Sequence, residues 1–162
     1  MNAFRPITTA RTRIRMPLLS DAQFLAEIEN DPQVKRFVGG PSGKSEADYR
    51  GSISALADCR CLTIESLSTQ EPIGRCGLIL IDNEPDIHVI LARHYWGRGL
   101  GSEVALGLKQ FSSEMFPEKA LVAKAHPENA ASLSILRKLE FVQTGVVDSP
   151  FYDNGFLRFR SN

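Results

Sequence analysis

Hydrophobic residues recur along this chain in two different periods, and each period predicts a different kind of element. Between residues 100 and 115 they are three or four positions apart, which places them on one face of an α-helix. Residues 129–139 carry a second stripe of this kind, and Ser20-Asp21 is typical of an N-cap for a third helix that continues to Glu29. A capping box formed by Ser45 and Asp48 predicts a fourth helix over residues 46–57.

The remaining apolar runs are shorter and predict β-strands. They cover residues 12–16, 61–67, 73–81, 86–93, 121–125, 141–147 and 156–160. Short polar connections at residues 68–70 and 82–85 favour antiparallel pairing in the middle of the chain, and Asn154-Gly155 is typical of a hairpin turn. This order predicts an α/β (α+β) fold in which helices flank a mixed, mostly antiparallel sheet. A length of 162 residues predicts one domain over residues 1–162.

Composition limits the classes of protein to which the chain can belong. Nineteen basic and nineteen acidic residues cancel, so no excess of positive charge indicates a nucleic-acid partner. No apolar run approaches the ~18 residues of a membrane span, and the N-terminus lacks the apolar core of a secretory signal. We therefore expect a cytoplasmic protein that does not bind membranes. The spacing of Cys59, Cys61 and Cys76 contains no Cys-x-x-Cys pair, and the three histidines do not complete a set of four metal ligands. We therefore expect reduced thiols and no bound metal.

The strongest candidate for a binding site lies between a predicted strand and the helix over residues 100–115. This segment reads Tyr-Trp-Gly-Arg-Gly-Leu-Gly-Ser over residues 95–102. Its glycines let the backbone approach a ligand closely, and its N–H groups can converge with those of the helix start on an anion such as a diphosphate. Arg98 adds a positive charge, and a tight turn that binds nothing is the alternative interpretation. The spacing is not that of a dinucleotide fingerprint, because Ser102 and Val104 stand where the last glycine would be needed.

Three motifs together resemble the GNAT superfamily of N-acetyltransferases. The glycine loop is similar to that family's acetyl-CoA-binding motif. Asn129-Ala130-Ala131-Ser132, followed by residues 136–141, is similar to its second CoA motif. Residues 13–18, 21–22 and 31–34 resemble the N-terminal pattern of the branch that acetylates the N-termini of ribosomal proteins. The resemblance covers nearly the whole chain, with the motifs in the family's order.

The resemblance implies direct transfer of an acetyl group from acetyl-CoA to an amine. Asp86 falls at the family's acidic position and is the first candidate for the base that deprotonates the amine, directly or through water. His88 shares one face of the predicted strand with Asp86 and is a rival, since the unperturbed pKa of histidine is near 6.5. Ser132 is the candidate acid for the departing thiolate. His126, just before Pro127, either lines the cleft or is exposed.

The resemblance also implies a set of contacts with acetyl-CoA. The backbone of Ile90, Leu91 and Ala92 would pair with the pantetheine arm like an added strand, and the Leu91 N–H would hold the thioester oxygen. Asn129 would hydrogen-bond the same arm, close to Ser132. The loop that would wrap the diphosphate comprises Trp96, Gly97, Arg98, Gly99, Leu100, Gly101 and Ser102.

Two positions depart from the family's pattern. Trp96 replaces the usual Gln or Arg, and Glu140 replaces a glycine that would end the second motif's helix in a left-handed conformation. A CoA-binding module without catalytic activity, acting as a sensor or interaction domain, is the alternative function. The sequence leaves open whether the acceptor is a protein N-terminus or a small-molecule amine, and whether the protein is a monomer or a homodimer.

A second glycine-rich segment, over residues 39–45, offers a competing interpretation. It ends in Gly-Lys-Ser like a phosphate-binding P-loop, but Val38 stands where the first glycine of a P-loop would be. It also follows a charged stretch instead of a buried strand. We therefore interpret it as part of the acceptor cleft and not as a nucleotide site.

Overall fold

The structure of the protein is a computed structural model that describes residues 4–55 and 60–161. This part of the chain forms an eight-stranded sheet with the strand order β1-β2-β3-β4-β5-β6-β8-β7. Neighbouring strands are antiparallel except β5 and β6, which are parallel. The strands are β1 (Ile7–Thr8), β2 (Thr12–Arg15), β3 (Leu62–Ser66), β4 (Pro72–Ile81), β5 (Glu84–Leu91), β6 (Val122–Ala125), β7 (Val142–Val147) and β8 (Phe156–Arg160).

Helices cover both faces of the sheet, as predicted. They are α1 (Ala22–Asn30), α2 (Glu46–Ala55), α3 (Leu100–Met115) and α4 (Ala130–Lys138). The apolar stripe of α3 packs with Leu91 and with Leu136 of α4 in the main core, whereas Ile90 packs with α1 and α2 in a second core. Because neighbouring residues of a strand point to opposite faces, α3 and α4 cover one face and α1 and α2 cover the other. The mixed, mostly antiparallel sheet flanked by helices is confirmed.

The predicted strands and helices agree with the structure to within a few residues, with two differences at the N-terminal end. The two-residue strand β1 is too short to leave a pattern. Asp21 occupies the expected N-cap position of α1, but its side chain makes no capping hydrogen bond there, because its carboxylate accepts hydrogen bonds from Arg15, the Leu18 N–H and Thr63. Burial raises the pKa of Asp21, but these bonds outweigh burial and the pKa is lowered.

The turn between β4 and β5 sets which residues of β5 face each helix layer. Asp82 and Asn83 both have positive φ, at 50° and 66°, as in a two-residue type I′ hairpin turn. This turn pairs Ile79 with Asp86 and Gly77 with His88 along the hairpin. Because a shift by one residue would exchange the two faces, the turn fixes the positions of the candidate catalytic residues.

The remaining local expectations have mixed outcomes. Ser45 and Asp48 form the predicted capping box, while the predicted end of that helix falls on residues outside those described. Cys61 and Cys76 are free thiols, and Cys59 lies outside the described residues. At the predicted hairpin turn, Gly155 has a φ of 63° and donates its N–H to the Tyr152 carbonyl.

The C-terminal end of α4 uses the left-handed conformation that the family pattern assigns to glycine, although Glu140 stands there. Glu140 has a φ of 58°. Its N–H bonds the Arg137 carbonyl at 3.1 Å, and the Phe141 N–H bonds the Leu136 carbonyl at 2.9 Å, which together form a Schellman motif. The motif holds Phe141 in the core, so the helix end is kept at the cost of backbone strain at Glu140.

We expect Glu140→Gly to stabilise the protein by about 1 kcal/mol, because glycine adopts this conformation without the clash of a β-carbon. For a chain of this length the melting temperature should rise by about 2–4 °C, measured by circular dichroism. Glu140→Ala is the matched control: it removes the same charge but keeps the β-carbon, so it should give little or no gain. Equal gains in both variants would assign the effect to the charge.

Candidate active site

The pairing of β5 with β6 ends in the middle of β5. β6 pairs with Asp86 and Ile87, and beyond them no described strand lies on that side of β5. The two strands therefore separate and leave an opening in the sheet. We call this opening the β5–β6 gap; Val89 and Leu91 border it on β5, and Lys124 and Ala125 border it on β6.

The hydrogen-bonding pattern of β5 determines which backbone groups point into the gap. The Ala92 N–H donates to the Ile73 carbonyl at 2.9 Å, just beyond the last β4–β5 pair, Gly74 and Leu91. In an antiparallel pair, successive residues direct their backbone groups to opposite sides. Residues 88, 90 and 92 therefore bond β4, whereas Val89 and Leu91 direct theirs into the gap.

Of the three residues expected to pair with the pantetheine arm, only Leu91 presents its backbone to the gap. The expectation is wrong for the backbone of Ala92, because its N–H is bonded to Ile73 and its carbonyl accepts the Tyr95 N–H. The alternation likewise directs the backbone of Ile90 toward Arg75 on β4. Side-chain contacts of Ile90 and Ala92 with a cofactor stay a prediction.

Trp96 hydrogen-bonds one of the two backbone groups of Leu91. Its indole Nε1–H donates to the Leu91 carbonyl at 2.8 Å, while 48% of the residue remains exposed. The carbonyl is thereby satisfied within the chain, and the Leu91 N–H is the polar group left at this point of the gap. The departure from the family's usual residue at this position thus has a structural role.

The glycine loop forms a donor-rich cradle at the start of α3. Gly97 and Gly99 have φ angles of 72° and 76°, a conformation that favours glycine. The Glu103 N–H bonds the Gly99 carbonyl, and no side chain in the described part of the chain caps the helix. The N–H groups of Leu100, Gly101 and Ser102 therefore have no helical partner, and together with the helix dipole they favour an anion.

The loop, the gap and α4 meet at Gly101. A β-carbon at this residue would lie 2.9 Å from the Ile135 Cδ1 of α4 and 3.8 Å from the Leu91 Cδ1 of β5. The glycine therefore lets α3 approach both elements closely. The N-terminal end of α3, which carries the loop, therefore lies next to Leu91 at the border of the gap.

Glu103 anchors this loop to the N-terminal strands, a role that the sequence motifs did not indicate. Its carboxylate accepts hydrogen bonds from Thr9 and from the backbone and side chain of Arg11. Partial burial raises the pKa of Glu103, but these bonds outweigh it and the pKa is lowered. Arg11 also donates to the Arg98 carbonyl at 2.9 Å, so one arginine ties both ends of the cradle.

Asp86 lies at the edge of the gap on the face covered by α1 and α2. The residue is only 8% exposed and pairs with Lys124 of β6. Burial raises the pKa of Asp86, and the hydrogen bond and charge of Lys124 oppose this rise without cancelling it. A carboxylate of raised pKa is a better proton acceptor than an ordinary aspartate.

His88 is nearby on the same strand but is electrostatically constrained. Burial and the adjacent charge of Arg75 lower the pKa of His88 to about 3. An Arg75 Nη1 lies 3.1 Å from the His88 Nε2. Because a guanidinium can only donate, Nε2 is the acceptor and the ring proton is on Nδ1. Neither nitrogen of the neutral ring has a free lone pair for an incoming proton.

Arg75 belongs to a buried ion network that the sequence analysis did not identify. The Glu29 carboxylate, 3% exposed as a residue, accepts from Lys35 at 2.8 Å and from Arg75. Burial raises the pKa of Glu29, but the charges and hydrogen bonds of Arg75 and Lys35 outweigh burial and lower it. Two cations thus share one carboxylate beside His88, and their charges add to burial in lowering the pKa of that histidine, while the Glu29 charge opposes them.

The start of α4 brings Asn129 and Ser132 together. The Asn129 side-chain oxygen accepts the Ser132 N–H at 3.2 Å and so caps the helix. The Asn129 amide nitrogen and the Ser132 hydroxyl have no hydrogen-bond partner among the described residues. Both residues are partly exposed, so these groups are available to a ligand.

Two other sequence candidates have clear structural outcomes. His126 is buried at 8% exposure in an aromatic cluster and is not the exposed loop histidine that was one of the two expectations. The segment over residues 39–45 is no phosphate cradle, because its backbone N–H groups bond within the chain. Their acceptors are the Lys35 and Glu29 carbonyls and the side chains of Asn30, Ser42, Asp48 and Tyr152.

Two kinds of structural feature are absent from residues 4–55 and 60–161. None of the helices there is both long and apolar enough to cross a membrane. Within the same residues, no three His, Cys, Asp or Glu side chains come together as metal ligands.

Comparison with known proteins agrees with this geometry. The profile of the acetyltransferase (GNAT) domain matches residues 11–142. A Bacillus licheniformis protein named uncharacterized N-acetyltransferase p20 is 28% identical over 148 residues, which are 86% of this chain and 83% of that protein.

Solved structures share the fold at lower sequence identity. A GNAT-family acetyltransferase from Bacillus anthracis has a TM-score of 0.83 at 17% identity, and 96% of each chain is covered. A ribosomal L7/L12 alpha-N-protein acetyltransferase in complex with coenzyme A has a TM-score of 0.78 at 16% identity, again covering 96% of each chain. The match over most of the chain, with the open sheet and the glycine cradle, identifies this protein as a member of the GNAT family, whose fold binds CoA, and as an acyl-CoA-dependent acetyltransferase.

Proposed function

We propose that the protein transfers the acetyl group of acetyl-CoA directly to a primary amine, either a peptide N-terminus or a small-molecule amine. The observation that carries this proposal is the Leu91 N–H in the β5–β6 gap, which no described strand pairs, beside the start of α3, which no described side chain caps. The first group suits an acyl carbonyl and the second suits a diphosphate. The transferase is proposed as one domain over residues 1–162, cytoplasmic, and a monomer or homodimer.

The groups around the gap fit the successive parts of acetyl-CoA. The N–H groups of Leu100, Gly101 and Ser102 would hold the diphosphate, with Arg98 adding charge. The Asn129 amide would donate to the pantetheine arm, and the Leu91 N–H would donate to the thioester oxygen. The cofactor supplies a thioester, which is reactive toward amines. The protein therefore has to orient the thioester, remove a proton from the acceptor and supply a proton to the departing thiolate.

The first proton is that of the acceptor ammonium, and Asp86 is the proposed base. It is buried at the edge of the gap, and its raised pKa improves its affinity for a proton. Lys124 can hold the carboxylate in place while it is ionised. His88 is the weaker candidate, because its pKa of about 3 disfavours the protonated ring and the lone pair on its Nε2 accepts from Arg75.

The second proton is needed by the departing thiolate, and Ser132 is its proposed donor. The hydroxyl has no partner among the described residues and lies on the first turn of α4, next to Asn129. Since the thiolate is a good leaving group, this contribution is smaller than that of the base.

The acceptor of the proposed transfer is a primary amine, and its class can be tested directly. One solved structure of this fold has a name that assigns it to the N-terminus of ribosomal L7/L12, which makes protein N-termini the first class to test. A turnover screen of acetyl-CoA against N-terminal peptides, amino acids, polyamines and other amines tests the function. Tight CoA binding without acetylation of any amine would favour the catalytically silent CoA-binding module.

Gly97→Ala should weaken CoA binding by about tenfold, or 1.4 kcal/mol, because a β-carbon at positive φ shifts the loop away from its anion-binding shape. Isothermal titration calorimetry measures the change. Gly43→Ala is a matched control, since Gly43 has a φ of 70° against 72° for Gly97 and neither β-carbon would meet another atom within 4 Å. Equal affinity in both variants would contradict the cradle assignment.

Asp86→Asn should lower kcat/KM strongly at neutral pH, and the loss should shrink as the pH approaches the acceptor's own pKa. Because burial raises the pKa of Asp86, the acid limb of the wild-type profile should lie above the 3.8 of an ordinary aspartate. His88→Gln is the control and should cost less. A larger loss in His88→Gln, with a wild-type pH profile in Asp86→Asn, would reverse the two roles.

The melting temperature of Asp86→Asn tests whether Asp86 also contributes to the stability of the protein. A carboxyl whose pKa is raised by folding stabilises the protein most below its unfolded pKa, and this contribution is lost as the pH rises through the folded pKa. Ionised Asp86 therefore favours the unfolded state at pH 7, and Asp86→Asn should melt no lower than the wild type there. A clear fall in melting temperature would indicate that the Lys124 pair has a structural role.

Ser132→Ala should lower kcat several-fold and leave the dissociation constant of acetyl-CoA nearly unchanged, since a proton donor to the thiolate acts mainly in the transition state. Steady-state kinetics and calorimetry give the two numbers. Ser134→Ala, on the exposed side of the same helix, is the control and should change neither. Full kcat in Ser132→Ala would remove its catalytic role.

A further inference from the structure

His126 lies at the end of β6, on the same face of the sheet as Asp86. The Asp86–Lys124 ion pair shows that Lys124 points to that face, and His126 follows two residues later, in the alternation of the strand. The cradle and α4 approach the gap from the opposite face. His126 therefore borders the side from which an acceptor amine reaches Asp86.

Three aromatic rings fix the imidazole in place. Phe37 stacks on it at 5.0 Å between ring centres, and Tyr152 and Phe156 meet it edge-on at 4.7 Å and 6.4 Å. These rings come from the loop after α1, the loop between β7 and β8, and the start of β8. The imidazole thus lies where two distant segments, the loop after α1 and residues 152–156, meet the end of β6.

The hydroxyl of Tyr152 joins the same segments by hydrogen bonds. The Tyr152 Oη–H donates to the Arg36 carbonyl at 2.8 Å, and the oxygen accepts the Gly39 N–H at 3.0 Å. The loop after α1 is therefore tied to the loop between β7 and β8 on both sides of Phe37. The walls around His126 are held by hydrogen bonds as well as by ring packing.

The tautomer of His126 follows from its backbone contact. The Glu128 N–H donates to the His126 Nδ1 at 3.1 Å, so the proton of the neutral ring is on Nε2. Nε2 has no hydrogen-bond partner among the described residues, although the residue is only 8% exposed. The ring is consequently a donor of fixed direction. It is unsuited to act as a base, because Nδ1 is occupied and Nε2 carries a proton.

An oriented donor discriminates between amines. An alkylamine or a polyamine has no oxygen to accept a hydrogen bond, whereas an amino acid or a peptide N-terminus has a carbonyl or carboxylate oxygen three bonds from its amine nitrogen. We propose that the His126 Nε2–H binds this oxygen, and that His126 is a specificity-determining residue which selects amines bearing an adjacent carbonyl or carboxylate. This inference rests on the proposed acetylation of amines and adds the feature that the acceptor must carry.

The test compares L-alaninamide with isopropylamine, which has the same branched carbon but no carbonyl. In His126→Phe, which keeps an aromatic ring against Phe37 and removes the donor, kcat/KM for alaninamide should fall about tenfold. The value for isopropylamine should change by less than about twofold. Leu106→Ala, at an exposed position on α3, is the control variant and should leave kcat/KM for both amines unchanged. An equal fall for both amines, or no fall for either, would overturn the proposal.

A second measurement needs no variant. In ¹⁵N-labelled wild-type protein, alaninamide should shift the imidazole Nε2–H signal of His126, and isopropylamine should leave it in place. This readout stays decisive if His126→Phe fails to fold. It also separates the two proposals: acetylation of neither amine together with a shift by alaninamide would count against the proposed activity and for the role of His126. Acetylation of both amines without any shift would count against His126 alone.

Discussion

The end of the β5–β6 pairing is the constraint on which the account of this protein depends. A buried strand normally satisfies both of its sides, because unpaired backbone groups away from water are costly. Here β5 keeps its antiparallel partner along its whole length and loses its parallel partner after Ile87. Trp96 satisfies the carbonyl of Leu91, and the N–H of the same residue is left for a ligand. The starts of α3 and α4 then supply donors on one face of the opening, and Asp86 and His126 border its other face.

In the proposed function, the two faces separate binding of the cofactor from deprotonation of the acceptor amine. On the α3 and α4 face, the groups without partners are mostly neutral N–H donors, which can hold a diphosphate and an amide-rich arm without a change in protonation. On the α1 and α2 face, the groups are ionisable and their pKa values are moved apart: burial raises the pKa of Asp86, while burial and Arg75 lower that of His88. Burial is the main cause of the low pKa of His88; the charges of Arg75 and Lys35 lower it further, whereas the charge of Glu29 opposes them. This difference makes Asp86 the better candidate of the two for taking up a proton.

Local patterns predicted the elements well, because the periods of α3 and of the central strands are properties of consecutive residues. The glycine loop and the Asn129–Ser132 motif were also found, since each is a short segment with a characteristic composition. Features that depend on partners distant in the sequence were not predicted. The Asp21 carboxylate bonds Thr63, which is 42 positions away, so the sequence around Asp21 indicated only a helix cap. The burial of His126 likewise depends on Phe37 and Tyr152. The backbone of Ala92 was misassigned because its direction follows from the β4–β5 register, which the turn at Asp82-Asn83 sets.

The central claim is that the Leu91 N–H is the open donor of the gap and is used by the bound acyl-CoA. Amide hydrogen exchange measured by NMR, with and without saturating acetyl-CoA, tests it directly. The Ile90 N–H is an internal control, since its direction toward β4 makes it part of the existing sheet. We expect exchange at Leu91 to slow at least tenfold on binding while exchange at Ile90 is nearly unchanged. Saturable binding of acetyl-CoA that leaves exchange at Leu91 unaltered would contradict the account.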